Sequence, residues 1–446
     1  MKCHSCFLHL KKWAALLLLV HVLLACGYRK RGDAPPLDEF YFPTGISVHP
    51  SGRYLYVAST NWDSRYHAGQ LSVVDLELAL NQADLNADPY SKRAIIGAKK
   101  ISSFAGFSTL SSRYSKLYVP TRENPTLHLF DLSADGAQVS CGEPPYIDST
   151  DCDSAHSIHL VGSLFSDKTP KSALHDAYQG LIFNSQTHTQ QEFFLLSHLY
   201  SGALSMFNVT PGAPMNPSGF KPQSLIGLPV DATTSVALVN TQSHRQFIYT
   251  AATLLQNGTQ SITTTSSLFF FEDTQLLNQT GAQGTIMLPA EYNAGRINAL
   301  LAHQAQQRLF VMLRQPDAIL VIDTQDTPNG VPKNQLVQSF ALERNPSVMT
   351  LVRNHFGQEF IYVASFDENS IQIIDAQYFN RVGRIYIDDA GPYGIESFDY
   401  QGKTLVAVSL FKNDQVVIID ASSADPTKHQ VISAIGTPVS KKKITR

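Results

Sequence analysis

A two-run pattern that occurs seven times limits the architecture of this chain more than any other feature. An apolar β-type run leads through a short polar turn into a second apolar run that closes on a carboxylate or an amide, as in FIYVASFDENSIQIIDAQ, residues 360 to 377. The second runs are QLSVVD ending at Asp75, TLHLFD at Asp131, ALSMFN at Asn208, SLFFFE at Glu272, AILVID at Asp323, SIQIID at Asp375 and QVVIID at Asp420. Counting back from each closing residue, the first, second and fourth positions are apolar in every copy, while the third is polar in four of the seven. This is strand alternation at period two, with one face buried more deeply than the other.

Each copy has another β run before it: YLYVAS, KLYVPT, EFFLLS, QFIYTA, RLFVML, FIYVAS and TLVAVS. A third run commonly stands further upstream, as in GISVHPSGR, and a fourth follows, as in GRIYID and QVISAIG. Four such strands joined by tight turns make an antiparallel sheet that cannot bury both faces alone. Closing residues 56, 77, 64, 51, 52 and 45 positions apart suit sheets packed around an axis, each covering its neighbour. The expectation is an all-β, seven-bladed β-propeller of four-stranded antiparallel blades over residues 40–436. Between 140 and 275 the runs are degenerate, and six or eight blades stay open there.

The segments PTGISVHPSGRYLYVAS, QLSVVDL and FIYVASFDENSIQIIDA resemble YVTN-type β-propeller repeats, a group that includes lactonase-like propellers. The resemblance runs from 43 to about 436 and implies the fold far more than any activity. Ser59, Thr121 and Ser365 depart from it, standing near positions where the family prefers Asn.

The N-terminal stretch predicts export. Lys2, Lys11 and Lys12 precede an apolar run from Trp13 to Leu24, too short to span hydrocarbon, which needs roughly 20 residues, and ordered as in a secretory signal. Leu23-Leu24-Ala25-Cys26 resembles a bacterial lipobox, which implies a signal peptide at 1–25, an acylated Cys26, a tether at 26–39 and a membrane partner held through the acyl anchor. Gly27 after the Cys favours the outer membrane. Cys141 and Cys152 then remain as an even pair in an exported chain, which predicts a disulfide. Zinc is the rival there, drawing on Asp151, Asp153, His156 and His159, but the spacing does not suit it; no metal and no cofactor are expected.

Loss of three lysines with the signal takes the formal charge from −3 to −6. Without a basic stripe, nucleic acid is not an expected partner; 437–446 is a small basic tail. Three insertions stand out: 77–93, expected to hold a short helix; 133–178, which carries the Cys pair; and 251–266, a Ser/Thr/Gln-rich hairpin tip.

In a propeller, the turns between second and third strands, with those entering each blade, converge on one face around the axial channel. That places a mixed ring at the channel mouth: Asn61, Trp62, Asp63, Arg65 and His67; Arg122 and Glu123; His198 and Tyr200; Arg314 and Asp317; Phe366, Asp367 and Asn369; Lys412 and Asp414. Arg296, Arg344 and Tyr393 join from the entering turns. Guanidinium groups beside aromatic rings suit a polar organic ligand. The chain has no Gly-x-Ser-x-Gly, His-Glu-x-x-His, phosphate-binding Gly loop or Cys-x-x-Cys-His. The expected function is a monomeric, envelope-anchored module that binds a small polar ligand or an envelope protein. The alternative is a lactonase-like or metal-assisted hydrolase at the same mouth.

Overall fold

Seven antiparallel blades account for the repeats, six of four strands and one, blade two, of five, and along each main path the strands run in consecutive order from the axis outward. A computed structural model describes residues 32–81, 90–111, 113, 115–142, 149–160, 176–185, 191–209, 220–257, 262–278 and 280–441. The expected signal peptide and Cys26 lie outside the described residues. Blade one is β1 (Pro43–Val48), β2 (Tyr54–Ser59), β3 (Gly69–Asp75) and β4 (Ile95–Ile101). Blade two is β5 (Thr109–Ser111), β6 (Lys116–Thr121), β7 (Thr126–Leu132), β8 (Val139–Ser140) and β9 (Ser157–His159). Blade three is β10 (Ala177–Asn184), β11 (Glu192–His198), β12 (Ala203–Val209) and β13 (Phe220–Gly227); blade four is β14 (Ala232–Asn240), β15 (Gln246–Asn257), β16 (Ile262–Glu272) and β17 (Gly284–Met287). Blade five is β18 (Arg296–His303), β19 (Arg308–Arg314), β20 (Ala318–Asp323) and β21 (Gln335–Ala341); blade six is β22 (Pro346–Arg353), β23 (Glu359–Ser365), β24 (Ser370–Asp375) and β25 (Arg381–Tyr386). Blade seven is β26 (Pro392–Tyr400), β27 (Lys403–Leu410), β28 (Gln415–Asp420) and β29 (Gln430–Ile435). The two recurrent runs are the second and third strands of every blade, and the count of seven holds through the degenerate middle.

Period-two alternation now has a physical meaning. Phe360 and Tyr362 on β23 pack toward blade seven, whereas Ile361 and Val363 pack toward blade five. Each strand thus serves two cores, and the buried apolar residues fall into seven clusters, one at each joint between blades. The cluster of Phe40, Leu55, Val57, Leu405, Ala407 and Ile418 joins the first blade to the last. Among the described residues the ring therefore closes by packing whole blades, with no strand exchanged. In four blades the closing carboxylate is a turn former: Asp75, Asp323, Asp375 and Asp420 each accept the backbone N–H two residues on, at 2.8 to 3.0 Å, the local bond that favours Asp in turns. Arg53, Lys116, Arg245, Arg308 and Lys403, at the start of second strands, pair across with the closing carboxylates.

Near the axis the innermost strands break register. In six blades the first strand carries a bulge close to its start, at 43/46, 177/180, 233/236, 297/299, 346/348 and 392/395. A bulge frees carbonyls that must find donors elsewhere. The neighbouring blade supplies them: Thr44 Oγ1 donates to Ala105 O (3.4 Å), Ser197 Oγ to Thr234 O (3.3 Å), Thr234 Oγ1 to Ile297 O (2.8 Å), Asn298 Nδ2 to Ser347 O (2.7 Å), Ser347 Oγ to Tyr393 O (3.1 Å) and Ser409 Oγ to Thr44 O (2.9 Å). Between blades two and three the main chain does the same, Phe107 N–H donating to Tyr178 O at 2.9 Å. All seven joints thus carry an axial hydrogen bond.

The insertions lie on the blade edges. In blade two the fourth strand is split into β8 and β9, both pairing with β7, and the Cys141–Cys152 disulfide closes the loop between them. Lys100 N–H donates to Thr150 O at 2.7 Å, so this loop also clamps the outer edge of blade one. His156 and His159 lie beside or on a strand, and His156 meets Asp153 at 2.7 Å and Asp131 at 3.8 Å; among the described residues no group of three His, Cys, Asp or Glu is arranged to hold a metal ion. The expected helix near 77–93 is a single turn, Leu76–Ala79, and 82–89 lie outside the described residues. The hairpin of β15 and β16 extends four pairs past Thr253, to Asn257 and Ile262.

Close approach at the axis yields a stability prediction. A Cβ at Gly394 meets Thr44 O at 1.9 Å, whereas one at Gly97 meets nothing within 4 Å. Gly394→Ala is expected to cost at least about 2 kcal/mol in denaturant unfolding, while Gly97→Ala changes stability by less than about 1 kcal/mol; equal effects would contradict axial contact between blades seven and one.

Candidate functional site

Two repeated local devices direct side chains to one end of the axis. In blades two, five, six and seven the turn between second and third strands has four residues, bracketed by the pairs Thr121↔Thr126, Leu313↔Ala318, Ser365↔Ser370 and Leu410↔Gln415. The first residue of each turn, Arg122, Arg314, Phe366 or Phe411, lines a cavity of about 480 Å³ at the channel mouth. Thr60, first in the longer turn of blade one, and Leu199 and Tyr200 of blade three line it too. The second device is the bulge, which re-aims side chains: Thr44, Tyr178, Asn298 and Tyr393 all lie within register breaks and all reach the same space. Arg296, Asn345 and Ala105 complete the wall.

The aromatic rings form a continuous arc. Trp62 meets Phe104 at 5.7 Å and Phe411 at 6.1 Å, edge to face in both contacts. Phe411 touches Phe366 and Tyr393, each at 5.7 Å, and Tyr393 stacks on Phe107 at 5.7 Å. Phe107 in turn meets Tyr178 at 5.3 Å, and the Tyr178 and Tyr393 hydroxyls lie 3.3 Å apart. Burial holds the Tyr178 phenol well above its usual range against the opposing pull of Arg314 and Arg122, so it stays a neutral hydroxyl. The Arg122 guanidinium lies over Trp62 and Phe104, each at 5.9 Å, a cation–π geometry. Arg314 Nε–H donates to Pro346 O at 2.9 Å, which fixes its stem.

An outer annexe of about 380 Å³ shares Arg296, Arg314 and Asn345 with the cavity and adds Asp317, Arg344 and Asp367. Arg344 pairs with Glu368 at 2.7 Å. Of the residues anticipated at the mouth, Trp62, Arg122, Tyr200, Arg296, Arg314, Phe366 and Tyr393 therefore converge on the cavity, and Asp317, Arg344 and Asp367 on its rim. Lys412 Nζ lies 4.5 Å from the Phe366 ring, behind the lining.

The others build turns. Asn61 is buried at φ 54° and bonds the Tyr66 backbone twice. Asn369 and Asp414 are the last residues of their turns, at φ 50° and 56°, left-handed values that Asn and Asp tolerate. Each accepts a backbone N–H entering the next blade: Asn369 Oδ1 from Gly391 at 3.0 Å, Asp414 Oδ1 from Phe42 at 2.7 Å. Asp63 and Arg65 pair with each other at 2.6 Å, His67 Nδ1 contacts Asp33 O at 3.0 Å, and Glu123 accepts from Ser103 N at 3.0 Å. His198 ends β11 and is wholly buried, with Nε2 against Ser205 Oγ at 2.7 Å. Phe411, Tyr178, Thr60 and Asn298 were not anticipated. Aligning the turns on their first position exposes Phe411 as the counterpart of Phe366; the bulge residues leave no comparable mark in the sequence.

No protein-family model matches the chain, and neither does any curated protein. Among solved structures, the chain is similar to hydrazine synthase from Kuenenia stuttgartiensis, at 13% identity over 89% of this chain and 99% of that one, with a TM-score of 0.52. It is also similar to the β-propeller domain of Cps50 (Swd1) from Myceliophteria thermophila, at 11% identity over 85% and 94%, with a TM-score of 0.47. At 13% identity the likeness to hydrazine synthase speaks for the fold alone.

Buried histidines around the joints predict acid sensitivity. Burial lowers His198 to about 3 and His128 to about 4, and His128 Nε2 accepts from Ser102 N–H at 3.0 Å. Unfolded histidines take protons near 6.5, so between that pH and the folded values the unfolded state binds more protons and stability falls as pH drops, by up to about 1.4 kcal/mol per pH unit for each group. Glu396, raised by burial to about 7, acts in the opposite sense: its contribution is complete below its ordinary value and lost as pH rises through 7. Comparing denaturant unfolding of the native chain and His198→Asn at pH 4, 5 and 6 isolates one histidine; a shallower slope in the variant is expected, and parallel slopes would contradict this assignment.

Proposed function

We propose that this chain is an exported, lipid-anchored β-propeller of the YVTN type that binds a small polar organic molecule at the mouth of its axial channel. One observation carries the reading: six blades deliver three guanidinium groups and six aromatic side chains to a single cavity of about 480 Å³, within the size range of small-ligand sites, roughly 300–1,000 Å³. Binding is favoured over hydrolysis because the inner lining, among the described residues, includes no His, Asp, Glu, Ser or Cys, which leaves threonine and tyrosine hydroxyls with no base beside them to activate one. Residues 1–25 serve as the signal, Cys26 as the acylated anchor and 26–39 as the tether, which delivers the propeller to the outer membrane. Closure of the ring within one chain supports a monomer as the working unit.

Two measurements check this. Cys26→Ala is expected to abolish incorporation of labelled palmitate and move the protein out of the membrane fraction; retained label would refute the anchor. Native mass spectrometry of protein taken from its own envelope is expected to show one small organic molecule per chain, lost in Arg314→Gln. A stoichiometric protein companion with no small molecule would overturn the ligand reading.

A further inference from the structure

The ligand class follows from an imbalance of charge within the cavity, provided that the mouth is a small-ligand site as proposed above. Arg122, Arg296 and Arg314 line it, and among the described residues none of the three takes part in an ion pair, although the surface arginines at 53, 65, 245, 308, 344, 381 and 384 all do. The inner lining includes no carboxylate. Asp317 and Asp367 lie only in the annexe, where both act on Arg344. Three like charges gathered at one concavity repel each other, and a guanidinium fork matches a carboxylate in two parallel bonds.

Shape and hydrogen bonding narrow the class further. The wall of Trp62, Phe411, Phe366 and Tyr393 offers ring faces and edges, which favour a flat, unsaturated body. Thr60 is 1% exposed, lines the cavity, and its Oγ1 has no hydrogen-bond partner among the described residues; a buried hydroxyl left so is destabilising until something meets it. We infer that the channel mouth is built for a planar aromatic carboxylate, its anionic end held by Arg296 and Arg314 and its ring laid against the Phe411–Tyr393 wall.

Calorimetric titration of the full chain in detergent with three probes tests this: 1-naphthoate, its neutral counterpart 1-naphthalenemethanol, and saturated cyclohexanecarboxylate. One equivalent of 1-naphthoate is expected to bind about tenfold or more tightly than the alcohol, the weight of a charge-assisted bond, and several-fold more tightly than cyclohexanecarboxylate, the weight of an aromatic contact. Arg314→Gln and, separately, the exposed Arg296→Gln should each weaken it about tenfold, while Arg384→Gln on the outer edge of blade six leaves it unchanged. If the alcohol binds as tightly as the acid, or the cavity arginine variants bind normally, the ligand class is wrong and the site stands. If none of the three probes binds, both the class and the small-ligand reading fall.

Discussion

The axial hydrogen bonds between blades are the constraint on which the rest of this structure depends. Apolar packing at the seven joints supplies most of the driving force, but hydrophobic contact is non-directional and fixes neither the height nor the rotation of a blade. A Ser, Thr or Asn side chain reaching the bulge of the next blade fixes both, since its acceptor is a single carbonyl. The bond from Ser409 to Thr44 O joins residues 365 positions apart, and Asp414 bonding Phe42 N repeats the closure one layer higher. Ring closure is therefore a polar event seated on an apolar one.

The same bulges create the site. A regular strand sends alternate side chains to its two neighbouring blades and none to the axis. The break in register turns Thr44, Tyr178, Asn298 and Tyr393 toward the channel, and the joint bonds hold them there: Asn298 and Ser347 anchor the chain that presents Tyr393, while Phe107 N–H anchors Tyr178. Turn residues then divide the work by position. The first faces the cavity; in blades six and seven the last adopts the left-handed conformation and ties the blade to its successor.

That division explains what could be read in advance. Strand alternation and closing carboxylates made the seven blades legible, because burial of both faces and the Asp turn leave marks at fixed spacing. The mouth was legible by face, so Trp62, Arg122, Arg296, Arg314, Phe366 and Tyr393 were found together. Within a turn, however, polarity alone does not separate a residue that meets solvent from one that completes the backbone, which is how Asn61, Asn369 and Asp414 entered the same ring. His198 shows the complementary failure: it ends β11 and lies in the core against Ser205, not in the turn. Tyr178 and Asn298 were hidden because a bulge is set by pairing between strands, and pairing register is not written in either strand by itself.

The most direct test of this account is a crystal structure of Ser347→Ala. Loss of the hydroxyl leaves the 392–394 bulge without its donor from blade six, while the apolar joint between blades six and seven stays intact. The account predicts that Tyr393 moves out of its stack with Phe107 and away from the Tyr178 hydroxyl, while the Ser409 and Asp414 bonds to blade one hold the rest of blade seven. A Tyr393 ring that keeps both contacts would contradict it, because the cavity would then be held by apolar packing alone.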